Sequence, residues 1–173
     1  TAVCTRAATH LVPAAERAVG ETGGEALVPD PAYPASASAV RFAGARPVTY
    51  RLEAANGFAP DIDAIEASIT SRTRVLILNT PQNPTGGVID ADRLAALAQL
   101  AEANDLIVIV DEIYRPFNYG APPVPSILTI PGMRERCILV DGFSKTYAMT
   151  GWRLGYGLLP TPLASRFALL ALN

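Results

Sequence analysis

Leu106-Ile107-Val108-Ile109-Val110 runs directly into Asp111-Glu112-Ile113-Tyr114, and the reading of this stretch decides the fold. A strand that is apolar on both faces is covered on both, which places it in the middle of a parallel sheet. Outward from it, short apolar runs at 26–28, 47–51, 74–78, 137–140 and 154–158 read as further strands. Segments of helical period lie at 9–19, 35–43, 61–69, 91–104 and 162–172. In the fourth of these, Asp90 is placed to cap the helix, and Leu94, Leu97, Ala98 and Ala101 share one stripe. Strands alternating with helices predict a three-layer α/β/α sandwich on a mainly parallel sheet.

A chain of 173 residues suits one compact domain. With 50% hydrophobic and 17% charged residues, it is not an intrinsically disordered sequence. A net charge of −2 offers no basic field to a nucleic acid. No apolar run reaches the ~18–20 residues of a membrane helix, and the first residues lack the layout of a signal peptide. The two cysteines, Cys4 and Cys137, lie in unrelated segments without metal-ligand spacing. They read as reduced thiols, which suits a cytoplasmic protein without a metal site. The apolar helical pattern at 162–172 runs to the last residues, so a fragment of a longer chain is expected.

In open α/β sheets, ligands bind beyond the carboxyl ends of the strands. Three successive strand ends deliver polar groups there. They are Asn79-Thr80-Pro81-Gln82-Asn83-Pro84-Thr85-Gly86-Gly87, Asp111-Glu112-Ile113-Tyr114 and Asp141-Gly142-Phe143-Ser144-Lys145.

These three segments, with the continuation Thr146 to Tyr156, resemble the class I/II aminotransferases of the fold-type I enzymes that use pyridoxal 5′-phosphate (PLP). The resemblance is weakest before about Glu25. It implies an incomplete large, cofactor-binding domain over residues 1–173, without the family's N-terminal arm and C-terminal small domain. It also implies a homodimeric enzyme that moves an amino group from an amino acid to a 2-oxo acid, with this piece alone only weakly active. Three alternatives stay open: a lyase on the same fold, a PLP-binding sensor domain of a transcriptional regulator, and an inactive truncated product.

The resemblance assigns roles residue by residue. Lys145 is the amine that forms a Schiff base with the cofactor aldehyde. It follows a buried strand, so the sequence predicts a desolvated amine. Asp111 is the carboxylate that holds the proton on the ring nitrogen. At the end of so apolar a strand, it is expected to be paired with a cation. Tyr114 and Asn83 are the partners of the phenolic oxygen, and Tyr33 is the aromatic that stacks on the ring. Arg153, eight residues after Lys145, would grip the phosphate. Ala8 and Thr9, in the turn Ala7-Ala8-Thr9, would add backbone donors at the start of the helix at 9–19. Two departures from the family stand out: alanines where it favours glycine in that turn, and Gly142 where many relatives have serine. Glu112 is expected to point away from Asp111 and to be structural.

Overall fold

The structure, a computed structural model, describes residues 1–5, 23–119 and 122–163. The turn with Ala8 and Thr9, the helix expected at 9–19 and most of that expected at 162–172 lie outside these residues.

A seven-stranded sheet runs through the described residues. Its strands are β1 (Ala2–Thr5), β2 (Glu25–Asp30), β3 (Arg46–Arg51), β4 (Thr73–Asn79), β5 (Ile107–Asp111), β6 (Cys137–Gly142) and β7 (Gly155–Leu158). The spatial order is β1-β7-β6-β5-β4-β2-β3. Strands β3, β2, β4, β5 and β6 are mutually parallel, and β7 runs antiparallel to both β6 and β1. The apolar run at 107–110 thus occupies the centre, as its two-sided character requires.

Alternation along each strand divides the core. Leu76, Leu78, Val108, Val110 and Leu139 join one cluster, and Val75, Ile77, Ile109, Ile138 and Val140 the other. Helix α1 (Ala35–Phe42) covers the second face through Val40. Helices α2 (Ile62–Ala67) and α3 (Ala91–Ala103) cover the first through Ile65, Leu94, Leu97 and Ala101. Each fully buried Leu or Ile contributes about 1.5–3 kcal/mol, so the two-sided burial of β4 and β5 concentrates this stabilisation at the sheet centre.

Asp90 caps α3, its Oδ1 accepting the Arg93 N–H at 2.7 Å. Helix α2 is shorter than the expected 61–69. Asp61 serves as its cap, accepting from the Ala64 N–H, and the last turn tightens as Ile69 N–H donates to the Glu66 carbonyl at 3.0 Å. Strand β1 was not foreseen. Four residues carry little pattern, and it forms by pairing with β7, a partner some 150 residues away. Among the described residues, no helix is long and apolar enough to cross a membrane.

Candidate active site

The chain leaves β2 for β3 on one side and then returns to β4 on the other, so the strand order reverses between β2 and β4. Such a reversal opens a crevice at the carboxyl ends of the strands. A cavity of about 430 Å³ lies there. Tyr33 reaches it from the loop after β2, Asn83 from the loop after β4, and Asp111 and Tyr114 from the end of β5. Lys145 reaches it from the short helix α4 (Phe143–Thr146) after β6, and Arg153 from the turn before β7. All six described site residues expected from the sequence therefore line one cavity. Ala8 and Thr9 are not among the described residues.

Asp111 shares a sheet face with Ile109, and its Oδ1 accepts the Ile113 N–H at 3.0 Å. Burial pushes its carboxyl up to about 6, nearby Asp141 adds to the rise, and the Ile113 bond and the Lys145 charge oppose it. The Lys145 ammonium lies over the Tyr114 ring, 5.5 Å from its centroid, an attraction of the cation–π kind. The Asn83 side-chain amide makes no hydrogen bond among the described residues. Arg153 adopts a left-handed backbone and donates to the Thr150 carbonyl at 3.2 Å. Tyr33 is exposed on the rim, beside the start of α1.

Two sequence expectations need correction. Lys145 is exposed rather than desolvated, because α4 carries it past the covered part of β6. Asp111 has no ion pair among the described residues; its burial is met by one backbone donor and a raised pKa instead. Glu112 does turn to the opposite face. There it is buried, accepting from the Ser126 hydroxyl at 2.8 Å, and burial raises its pKa. Gly142 has a packing reason: a Cβ there would sit 3.2 Å from the Leu154 carbonyl oxygen, which accepts the Phe143 N–H. The β6–β7 approach thus favours a residue without a side chain.

Three further contributors lie in the strand-end segments, although the resemblance assigns them no role. Asn79 sits in the lining and bonds to the Asn83 loop. Gln82 donates to the Pro31 carbonyl at 2.6 Å and accepts from the Thr85 hydroxyl, joining the loop with Tyr33 to the loop with Asn83. Asp141 accepts from the Tyr156 hydroxyl at 2.6 Å, and burial together with that bond pushes the phenol up to about 12. Asn79 and Asp141 each left a signal, a polar residue directly after an apolar run. Val75, Ile77 and Asn79 alternate onto the face that carries Ile109 and Asp111, so a polar side chain ends an apolar row.

The fold and site define a class: an α/β protein with a lysine, an aspartate, a tyrosine and an asparagine converging at the switch point of a mainly parallel sheet. A sequence profile described as aminotransferase class I and II matches residues 1–172. The chain is 45% identical over 139 residues to an aspartate aminotransferase of Pyrococcus abyssi, covering 80% of this chain and 36% of that protein. It is 43% identical over 136 residues to aromatic-amino-acid aminotransferase 2 of Thermococcus litoralis, covering 79% of this chain and 35% of that one. The solved aromatic aminotransferase from Pyrococcus horikoshii superposes with a TM-score of 0.96 at 37% identity, over 99% of this chain and 46% of that one. The chain belongs to the class I and II aminotransferase family. It spans 35–46% of the length of these relatives.

Proposed function

We propose that the protein is a PLP-dependent aminotransferase, moving an amino group from an amino acid to a 2-oxo acid. One observation carries this reading: groups from successive strand ends, Asn83, Asp111, Tyr114 and Lys145, line a single cavity at the switch point. The residues fit the cofactor chemically. Asp111 is a carboxylate whose second oxygen accepts no hydrogen bond and which forms no ion pair with a cation among the described residues. A protonated pyridine nitrogen would supply that cation. The open amide of Asn83 and the hydroxyl of Tyr114 would take the phenolic oxygen, Tyr33 would lie against the ring, and Arg153 would pair with the phosphate.

The cofactor supplies an electron sink for charge that develops at the substrate carbon. The chain's own residues do the rest. Lys145 is the nucleophile that fixes the group in the site and, once freed, carries a proton to and from the substrate carbon. Asp111 keeps the ring nitrogen protonated. Tyr114 orients the lysine through its ring face and holds the phenolic oxygen in its ionised form. A cytoplasmic homodimer acting on amino-acid and 2-oxo-acid substrates is part of the same proposal. The family membership and the composition support it.

Titration with PLP tests the reading. A visible band should form in the wild-type protein and be absent in Lys145→Ala, and borohydride should fix the cofactor on the peptide bearing Lys145. An amino acid should bleach the band and a 2-oxo acid should restore it, which separates a transaminase from a lyase or a sensor. No visible band at any PLP concentration would sink the proposal.

A further inference from the structure

We infer that Asn79 is a positioning residue that sets Asn83 and Asp111 relative to one another, a role that rests on the cofactor reading above. Asn79 ends β4 directly opposite Asp111 in the β4–β5 register. Its amide nitrogen donates to the Asp111 carbonyl oxygen at 3.0 Å and to the Pro81 carbonyl oxygen at 3.1 Å. Its side-chain oxygen accepts the Asn83 N–H at 2.7 Å. Both amide protons and the oxygen are engaged, which locks the side chain in one orientation.

The groups it holds are the reverse. The Asn83 amide and the second Asp111 oxygen are open toward the cavity. Two groups with unsatisfied valence are thus carried on backbone fixed by a third whose valence is filled. The task needs donors on one branch and an acceptor on the other, at this length of side chain. Aspartate would turn an oxygen toward two carbonyl oxygens, and alanine would leave the Asp111 and Pro81 carbonyls and the Asn83 N–H without this partner. Misplacement of a binding group by about 1 Å is enough to weaken a preorganised site.

The test compares the full wild-type chain with Asn79→Ala, following visible absorbance during PLP titration across pH and thermal unfolding without cofactor. Asn79→Ala should bind PLP roughly tenfold more weakly, about 1.4 kcal/mol. The pH midpoint of its visible band should move by roughly half a unit, because the contacts that set it are displaced. Thr80→Val is the control for loop stability. It removes the buried acceptor of the Ile89 N–H, 3.0 Å away in the same loop, and should lower the unfolding temperature while leaving affinity and midpoint unchanged. Where Asn79→Ala does not fold, Asn79→Ser, which keeps a short oxygen acceptor, should fall between wild type and the tenfold loss. A wild-type band that the Asn79 variants leave unaltered in affinity and midpoint overturns the role of Asn79 alone. A wild type without any band overturns the cofactor reading and this role with it.

Discussion

Replacing Asp111 by asparagine should make the cofactor-free chain more stable at neutral pH while abolishing its grip on the cofactor. Burial lifts the Asp111 carboxyl from its usual 3.8 to about 6. Between those values, the folded chain holds a proton that the unfolded chain releases, so stability falls as pH rises through the window. Above about 6 the cost is complete. At 1.36 kcal/mol per pH unit, the displacement is worth about 3 kcal/mol. Asp111 is only half-buried, and screening by solvent brings the expectation to about 1–3 kcal/mol. Asparagine keeps an oxygen for the Ile113 N–H and carries no charge to desolvate. Urea unfolding without cofactor, at about pH 4 and about pH 8, reads the difference. For a slope of about 2 kcal/mol per molar urea, the variant's midpoint should exceed wild type by about 0.5–1.5 M at the higher pH and nearly coincide at the lower. PLP should reverse the order, since the variant offers the ring nitrogen no anion. An equal gap at both pH values, or a variant less stable than wild type at pH about 8, would refute the reasoning.

Glu25 stands at the opposite end of the sheet, enclosed by the Thr70 hydroxyl, Arg46 and Arg72, which hold its carboxyl down to about 2. A lowered pKa stabilises above the usual 4.5 and is lost as pH falls toward 2, so the stability gap between wild type and Glu25→Gln should close on acidification through that range in urea melts. Tyr50 donates to the Ile77 carbonyl at 2.7 Å in the core. Tyr50→Phe should cost about 1–2 kcal/mol of stability and leave PLP affinity unchanged. A Cβ at Gly87 would lie 2.8 Å from the Gly57 carbonyl oxygen, which is backbone and yields little. Gly87→Ala should cost about 1–3 kcal/mol and also weaken PLP binding, because the Gly87 carbonyl anchors the Gln82 N–H beside Asn83. Unchanged melting and unchanged PLP titration would show that the loop absorbs the methyl. Cys137 is buried with a free thiol, and burial pushes its pKa up. Its modification by a thiol reagent should therefore follow global unfolding.

The sequence by itself determined the layers, the central strands and the edge of the sheet where chemistry gathers. A strand apolar on both faces has one kind of place to go, and polar groups after three such strands must meet at one rim. The resemblance carried by those segments named Asp111, Asn83, Tyr114, Tyr33, Lys145 and Arg153 as one site, and all six line one cavity. Tertiary structure alone decided the rest. Strand β1 exists through pairing with β7, and no local pattern announces a four-residue strand whose partner is distant. The exposure of Lys145 depends on what covers α4, and the lack of an ion pair at Asp111 among the described residues on how far away the Lys145 charge is held. The bonds of Asn79 and Gln82 join loops 30 to 50 residues apart in the chain. Such links depend on strand register and loop path, which only the assembled sheet sets.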